Sequence, residues 1–367
     1  FEMITKEIAA AGTSIWLDDL SRAKLTGTDS LSLPSRIENS GVVGVTTNPS
    51  IFNAAITGSA DYAADIASLK SHSPEEIVKK LTTDDVRKAC DLFSEIYSQS
   101  SGVDGRVSIE VDPRLAHDTS ATIDQGKDLW QIVDRPNLMI KVPATLAGLP
   151  AITELIASGI SVNVTLIFSC QRYEQVIDAF IAGIEEALQR GNDASQIHSV
   201  ASFFISRIDT AVDQQLKIIN TTQSLKLLGQ AAIANAVLAY ELFLKKSNSA
   251  RWTKFSAAGA HMQRPLWAST GVKDPAYDDT RYVMQLIAPH TVNTMPQSTL
   301  DAVLDHGKFY GNTVTPAIEK SHLLLAALTK TGISLNSITD QLEIDWVASF
   351  AKAWQSLLDD VDKVRSA

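Results

Sequence analysis

The sequence has few cysteines, no excess of positive charge and no long apolar run. Its two cysteines, Cys90 and Cys170, lie far apart, so they form neither a disulfide framework nor the spacing of a metal site. No apolar run reaches the roughly 20 residues that a membrane-spanning helix needs. The net charge of -10 argues against a nucleic-acid partner, which requires a basic surface. An anionic substrate would therefore need a local positive pocket within an acidic protein.

The start of the chain also lacks the basic segment and apolar core of a signal peptide. We therefore expect a cytoplasmic protein with reduced cysteines and no membrane segment. The composition, 45% hydrophobic and 20% charged residues, is ordinary for a globular protein. A length of 367 residues would allow two domains, but α/β barrels of this size fold as one.

Short runs rich in β-branched residues alternate with helical stretches along the chain. These runs are almost continuously apolar, which is typical of parallel strands covered by helices on both sides. About eight such runs predict an α/β fold with a closed (β/α)8 barrel. An open doubly wound sheet would carry a glycine-rich loop after its first strand, where this chain has Asp18-Asp19-Leu20-Ser21-Arg22. The predicted strands are residues 14–18, 41–48, 106–112, 137–143, 160–168, 199–204, 265–270 and 291–295.

We predict a single barrel domain over residues 1–367, with extra helices at both ends. A short helix in residues 1–13 precedes the first strand, and the later helical stretches include residues 119–133, 208–246 and 342–363. The helices after about residue 310 are expected to pack on the barrel as an extension, because no linker or internal repeat separates them.

Polar residues stand at the predicted carboxyl ends of seven strands, which is where (β/α)8 barrels carry their function. Each has an ordinary structural explanation when taken alone; Asn48, for example, could simply cap a helix at Pro49. Their convergence on one rim favours a functional site. The strands hold no histidine except His198 at the opposite end, and the acids are too scattered for a magnesium site, so we expect no metal. The candidates are Asp18, Asn48, Glu110, Lys141, Thr165, Ser202 with Arg207, and Ser269 with Lys273.

Lys141 lies inside an apolar run that ends at Pro143, which cannot donate to a sheet ladder. Such a lysine either extends its ammonium to water or acts as a nucleophilic amine. A neutral amine attacks a ketone to give an imine, and the positive imine nitrogen stabilises cleavage of the adjacent carbon–carbon bond. The polar residues of the other strands favour this second interpretation.

Two stretches resemble the motifs of the transaldolase family. Gly44-Val45-Thr46-Thr47-Asn48-Pro49-Ser50-Ile51 is similar to the turn after the second strand, and Met139-Ile140-Lys141-Val142-Pro143-Ala144-Thr145 is similar to the surroundings of the Schiff-base lysine. Residues 108–112, 163–169 and 202–207 also resemble this family, in the same order, within a match over about residues 14–301. The resemblance implies a class I aldolase-type barrel without metal or organic cofactor.

The resemblance also implies roles for the catalytic residues. Lys141 matches the imine-forming lysine, while Glu110 and Thr165 match the pair that holds a water and relays protons. Asp18 matches the residue that takes the proton from the C4 hydroxyl. Its neighbour Asp19 should point to the opposite face of the strand.

The same resemblance assigns substrate contacts. Asn48 and Ser202 match groups that hydrogen-bond the dihydroxyacetone part of the sugar, and Arg207 matches a phosphate ligand. Many transaldolases have a second arginine after the seventh strand, where this chain has Lys273. Lysine supplies charge but no bidentate fork, so Arg264 is a weaker rival for this second position.

The implied reaction is transfer of a dihydroxyacetone unit from sedoheptulose 7-phosphate or fructose 6-phosphate to glyceraldehyde 3-phosphate or erythrose 4-phosphate, in the pentose phosphate pathway. The expected partners are these phosphorylated sugars, with no nucleic acid or membrane, in a monomer or homodimer. Three alternatives remain open: an aldolase that releases dihydroxyacetone, a phosphosugar isomerase without an imine, and a binding barrel without catalysis.

Overall fold

Eight parallel strands form a closed barrel in the computed structural model, which describes residues 3–367. The strands pair in sequence order, and pairing of the first with the last closes the barrel. This confirms the predicted (β/α)8 fold. The strands are β1 (Thr13–Leu17), β2 (Gly44–Val45), β3 (Arg106–Glu110), β4 (Leu138–Pro143), β5 (Val162–Ile167), β6 (Ser199–Phe204), β7 (Arg264–Ala268) and β8 (Thr291–Met295).

Helices surround the barrel and extend it at both ends. The helix predicted for residues 1–13 is α1, although the first two residues lie outside the described chain. The helices are α1 (Ile4–Ala10), α2 (Arg22–Thr26), α3 (Leu33–Ser40), α4 (Pro49–Ile56), α5 (Ala63–Ser68), α6 (Pro74–Leu92), α7 (Ser94–Gln99), α8 (Thr119–Val133), α9 (Gly148–Ala157), α10 (Cys170–Gln189), α11 (Ser206–Ile219), α12 (Thr222–Leu225), α13 (Ala231–Ser247), α14 (Ala250–Ser256), α15 (Arg281–Met284), α16 (Gln297–His306), α17 (Ile318–Lys330) and α18 (Leu335–Ser366).

Strand β4 shows how the barrel positions its lysine. All six of its residues are buried, and it ends at Pro143, as the missing N–H of proline predicts. The parallel register sets Lys141 beside Glu110 of β3. Neighbouring residues in register present their side chains to the same face of a sheet. The strand pairing therefore brings an amine and a carboxyl group together inside the barrel.

Two predicted elements differ from the structure. Strand β2 spans only Gly44–Val45 instead of residues 41–48, because Asn48 turns the chain into α4 and its Oδ1 accepts a hydrogen bond from the Ile51 N–H at 2.9 Å. The single helical stretch predicted for residues 208–246 is three helices. The first of them ends where Asn220 adopts the left-handed conformation that asparagine tolerates (φ 52°).

The long helix α18 lies over the carboxyl ends of the strands. It begins at Leu335, earlier than the predicted residue 342, because the Ser334 hydroxyl accepts a hydrogen bond from Ser337 N–H and caps it. It packs on α4, α5, α6 and α11. Within residues 3–367, no helix has both the length and the apolar character needed to cross a membrane.

Candidate active site

A cavity of about 230 Å³ lies at the carboxyl ends of the strands. Seven of the nine predicted site residues line it, and the remaining two, Glu110 and Thr165, are buried in the strands that flank β4. The structure therefore brings these side chains together at one rim of the barrel, as the sequence predicts. The seven lining residues are Asp18, Asn48, Lys141, Ser202, Arg207, Ser269 and Lys273.

Lys141 is almost fully enclosed, with 4% of its surface exposed. Its Nζ donates a hydrogen bond to the carbonyl oxygen of Thr47 at 2.9 Å and lies 3.8 Å from Oε2 of Glu110. The ammonium therefore does not extend into open water. This argues against the alternative that Lys141 is an ordinary strand lysine with a solvated side chain. An amine at the wall of a cavity, beside a carboxyl group, is placed for nucleophilic chemistry.

Glu110 and Thr165 are buried polar groups whose side chains lack hydrogen-bond partners in the described part of the chain. The two carboxylate oxygens of Glu110 accept no hydrogen bond from residues 3–367. The hydroxyl of Thr165 also has no hydrogen-bond partner there. Burial raises the pKa of Glu110 to about 7; the charge of Lys141 lowers it, and that of Asp18 raises it further. A group that titrates near neutral pH can both donate and accept a proton.

Strand β5 is irregular where it carries Thr165. Its register with β6 shifts between Val164 and Ile167, and Leu166 has a positive φ of 60°. A bulge inserts an extra residue and changes the direction of the side chains that follow. Such strained backbone is concentrated at functional sites, and here it immediately follows Thr165.

Asp18 directly follows β1 and is held by a threonine. The Thr46 hydroxyl donates to its Oδ1 at 2.7 Å. Burial raises the pKa of Asp18 above its usual range, while the charge of Lys141 and the bond from Thr46 act in the opposite direction. Asp19 points elsewhere, since its Oδ2 lies 3.0 Å from the ammonium of Lys24. The structure thus separates the two adjacent aspartates, as strand alternation predicts.

Asn48 and Ser202 each make one side-chain hydrogen bond within the protein and keep further polar atoms for a ligand. Asn48 caps α4 through its carbonyl oxygen, so the ordinary explanation for this residue holds alongside its place in the cavity. The Ser202 hydroxyl donates to Oδ1 of Asn163 at 2.7 Å. What remains for a ligand is the Asn48 amide N–H and the accepting lone pairs of the Ser202 oxygen.

Two further cations, Arg207 and Lys273, line the same cavity as Lys141. The guanidinium of Arg207 lies 4.0 Å from the centre of the Trp346 ring, and its Nε has no partner among residues 3–367. Burial lowers the pKa of Arg207. Partial burial also lowers the pKa of Lys273, as does the charge of nearby Arg207. Together with Lys141 they form the local positive pocket expected in this acidic protein.

Arg264 lies at the other end of the barrel. It is the first residue of β7, and its guanidinium donates to the Ser14 hydroxyl at 3.0 Å and the Val103 carbonyl at 2.8 Å, and pairs with Asp104 at 3.3 Å. Its position at the amino end removes it as a rival to Lys273 in this cavity.

Among the lining residues that were not singled out from the sequence, four shape the site. Thr46 and Thr294 form a hydroxyl pair 2.6 Å apart beside Asp18. Trp346 and Phe350 of α18 form an aromatic wall over the cavity. Their spacing of four residues places them on one helix face, but no local pattern shows that this face covers the barrel.

No potential metal site is found within residues 3–367: no three side chains of His, Cys, Asp or Glu are grouped so that they could hold an ion. The polar groups of the cavity instead comprise an amine, two carboxyl groups, hydroxyl groups and two further cations. This set can bind a phosphorylated carbonyl compound and move protons around it.

Comparison with known proteins identifies the family. Residues 15–361 match the model of the family described as Transaldolase/Fructose-6-phosphate aldolase, which extends the recognised similarity through most of α18. The chain is 54% identical over 355 residues to a transaldolase of Mycolicibacterium smegmatis, covering 96% of this chain and 95% of that protein. It is 52% identical over 360 residues to transaldolase 1 of Streptomyces coelicolor, with 98% and 94% covered. A transaldolase of Renibacterium salmoninarum is 53% identical over 366 residues, with 99% and 97% covered. The chain belongs to the transaldolase/fructose-6-phosphate aldolase family.

Proposed function

We propose that this transaldolase-family enzyme transfers a dihydroxyacetone unit between sugar phosphates through an imine on Lys141. The donors are sedoheptulose 7-phosphate or fructose 6-phosphate, and the acceptors are glyceraldehyde 3-phosphate or erythrose 4-phosphate, as in the pentose phosphate pathway. The observation that carries the proposal is the buried Lys141 amine, 3.8 Å from Glu110, in a cavity that also holds Arg207 and Lys273.

Imine formation begins when the Lys141 amine attacks C2 of the ketose. The carbinolamine then loses its hydroxyl group as water, which requires a proton. Glu110, whose pKa is raised to about 7, is protonated in part of the molecules at neutral pH and supplies that proton. Thr165, whose buried hydroxyl has no hydrogen-bond partner among residues 3–367, relays protons in the same region.

Carbon–carbon cleavage follows when Asp18 takes the proton from the C4 hydroxyl. The C3–C4 electron pair moves toward the positive imine nitrogen, and the aldose phosphate leaves. Burial makes Asp18 a stronger base than an aspartate in water, because it raises the pKa. The three-carbon enamine stays on Lys141 and attacks the acceptor aldehyde, to which Asp18 returns the proton.

Substrate orientation comes from the rest of the cavity. Asn48 and Ser202 hydrogen-bond the hydroxyl groups of the three-carbon unit. Arg207 and Lys273 bind the phosphate through charge-assisted hydrogen bonds. One cavity would thus hold both the three-carbon unit and the phosphate of the sugar.

The main alternative is release of dihydroxyacetone, because the family model covers fructose 6-phosphate aldolases as well. We favour transfer because relatives with 52–54% identity are named transaldolases. The test is to measure the free dihydroxyacetone and the new ketose phosphate that fructose 6-phosphate yields with an acceptor aldehyde present. Predominant release would assign the enzyme to the aldolases.

Borohydride trapping tests the imine itself. The enzyme is incubated with fructose 6-phosphate and borohydride, digested, and mapped by mass spectrometry. The reduced adduct is expected on the peptide that contains Lys141, and Lys141→Met should abolish it. Lys273→Met is the matched control, since it removes an ammonium from the same cavity but should still give the adduct at saturating sugar. An adduct on any other lysine, or none at all, would overturn the mechanism; an isomerase or a binding barrel would give none.

We further propose a cytoplasmic enzyme that is a monomer or homodimer. The free cysteines Cys90 and Cys170 support a reducing compartment. Light scattering coupled to size-exclusion chromatography would measure the number of chains, and a particle larger than a dimer would contradict this.

A further inference from the structure

A second cavity, which we call the amino-end cavity, lies at the end of the barrel opposite the substrate cavity. It has a volume of about 350 Å³, and its wall includes the first residues of two strands, Ser199 of β6 and Arg264 of β7. Phe243, Trp252 and Met262 form an apolar side of the same wall. Within residues 3–367, the two cavities share no lining residue, so this is a separate site.

The polar side of the amino-end cavity carries only neutral or positive groups. His198, which is 8% exposed, stacks on His261 with 4.3 Å between the ring centres. The other titratable lining residues are His290 and Arg264. In the described part of the chain no aspartate or glutamate lines the cavity, although the protein has a net charge of -10. The cavity is therefore a positive region inside an acidic protein.

Arg106, the first residue of β3, places a buried charge behind His198. Its Nε donates to the Gly102 carbonyl at 2.8 Å and its Nη1 to the Pro136 carbonyl at 3.1 Å. Its Nη2 is buried and has no partner among residues 3–367. A Cβ built on Gly102 would lie 2.9 Å from Nε2 of His198 and 3.2 Å from Nη2 of Arg106, so both nitrogens flank this glycine. Arg106 does not line the cavity and acts there through its charge.

Two arginines at this end of the barrel have one carboxylate beside them. Asp104 pairs with Arg264 at 3.3 Å, and it also accepts hydrogen bonds from the Ser14 hydroxyl and the Trp16 N–H. Burial lowers the pKa of Arg106 only to about 10, so both guanidinium groups are charged at neutral pH. A buried charge without a counter-ion is costly. One carboxylate balances one of the two arginines, and the other lacks a negative partner.

The ring of His198 is available to a ligand in this positive region. Burial lowers its pKa to about 2, together with the positive charges of Arg106, His261 and Arg264. Its backbone N–H and carbonyl are paired, but its ring nitrogens make no hydrogen bond to residues 3–367. A neutral imidazole offers one donor and one acceptor. The ring can therefore bind an anion without carrying a charge itself.

We propose that the amino-end cavity binds a phosphate group, either the inorganic ion or the phosphate of a small organic molecule. The group would supply the missing negative charge, and its tetrahedral oxygens would accept hydrogen bonds from His198, His261 and Arg264 on different parts of the wall. A planar carboxylate has only two oxygens for these donors. The carbon part of an organic phosphate would pack on Phe243 and Trp252. This site does not depend on the reaction at the other end of the barrel.

Nuclear magnetic resonance of ¹³C-labelled histidine rings tests the proposal. The enzyme is titrated with inorganic phosphate and, separately, with glycerol 3-phosphate, at an ionic strength held constant with sodium chloride. The signals of His198 and His261 are expected to shift together along one saturable curve. The signal of His72, an exposed histidine outside both cavities, should not move. Loss of one signal in His198→Asn identifies the His198 resonance.

Two variants measure what the wall contributes to affinity. Arg264→Gln removes a charged donor and should raise the dissociation constant of phosphate about tenfold or more. His261→Phe keeps a ring stacked on His198 but removes its nitrogens, and should raise it several-fold. The matched control, His72→Phe, should bind as the parent does. Because Arg264→Gln leaves Asp104 without its ion pair, His261→Phe provides the test if that variant does not fold.

The two probes also distinguish the sources of the phosphate group. Tighter binding of glycerol 3-phosphate assigns an organic phosphate, whereas equal or tighter binding of inorganic phosphate assigns the ion. The proposal is overturned if millimolar amounts of both probes shift the two signals no more than sodium chloride does. It is also overturned if both variants bind phosphate as tightly as the parent. Failure of the imine mechanism on Lys141 would leave these results unchanged.

Discussion

Burial of Glu110 lowers the stability of the folded protein but gives this residue a pKa suited to catalysis. A carboxyl group that is 6% exposed loses most of its hydration, and no protein donor replaces it within the described chain. The Lys141 ammonium at 3.8 Å offsets only part of this loss, because the pKa is still raised to about 7. The raised pKa is what lets Glu110 carry a proton near neutral pH.

The pH dependence of stability should reveal this conflict. With a folded pKa of about 7 and an ordinary value of 4.5, the folded state binds more protons than the unfolded state between these values. The contribution of Glu110 to stability is therefore present below pH 4.5 and is lost as pH rises through 7. Glu110→Gln should raise the free energy of unfolding at pH 8 by on the order of 2 kcal/mol relative to parent, and by much less at pH 5. Urea unfolding of both proteins at both pH values measures this; a difference independent of pH would contradict the raised pKa.

Asp18 should be separable from imine formation. Asp18→Asn removes the base for the C4 hydroxyl but keeps the shape and the acceptor for Thr46. Cleavage of fructose 6-phosphate should fall by about 100- to 10,000-fold, the usual contribution of general acid–base catalysis. The borohydride adduct on Lys141 should still form. A variant that loses both activities would show that Asp18 also acts in imine formation.

The positions of single site residues can be predicted from the sequence, because a closed barrel brings the carboxyl ends of its strands together regardless of loop conformation. The position of Lys141 and the separation of Asp18 from Asp19 both followed from strand geometry. Arg264 was named as a weaker rival ligand, although it directly precedes the predicted strand 265–270 and strand direction therefore already placed it at the amino end; the structure, with β7 beginning at Arg264, agrees. The hydrogen bond that Ser202 donates to Asn163 also required the structure, because it joins two different strands.

At the scale of secondary structure, α18 completes the active site. It supplies Trp346, which stacks on the phosphate-binding candidate Arg207, and Phe350 beside it. An ion pair between Arg172 of α10 and Glu343 of α18, at 2.5 Å, fixes the same part of the helix. The helix therefore shapes the cavity although none of its residues belongs to the recognised motifs.

Replacing Trp346 should weaken substrate binding more than catalysis. Trp346→Leu removes a cation–π contact worth about 0.5–2 kcal/mol and lets Arg207 leave its position. The KM for fructose 6-phosphate should rise several-fold, with a smaller change in kcat. Ile344→Ala, an exposed position (61%) two residues away, is the control and should behave as parent. Equal KM values for the Trp346 variant and parent would show that the stacking does not orient the arginine.

Sequence patterns predicted the elements better than their irregularities. Strands β6 and β8 and helix α8 were placed at their observed bounds, since β-branched runs and caps are local signals. The bulge in β5 was not predicted, because Leu166 adopts a left-handed conformation that nothing in its own type favours. The short β2 was not predicted either, because its length depends on how Asn48 caps α4.

At the scale of the whole molecule, the barrel and α18 should unfold as one domain. The helix packs on α4, α5, α6 and α11, so it cannot leave without exposing apolar surface on several barrel helices. We expect one equilibrium transition in urea, with the same midpoint for far-UV circular dichroism and for the fluorescence of a variant that retains only Trp346 and Trp354. A separate, earlier fluorescence transition would show that α18 is an independent unit and that the single-domain prediction is wrong.

The order of the elements along the chain also matters for how the enzyme is made. All eight strands precede Leu335 in the chain, so the side chains that cover Lys141 are translated after every strand of the barrel. Because the barrel and α18 are expected to fold as one unit, the barrel that assembles the amine and the helix that encloses it should form in the same step. The nascent chain would then never present a finished but uncovered nucleophile to the sugars around it.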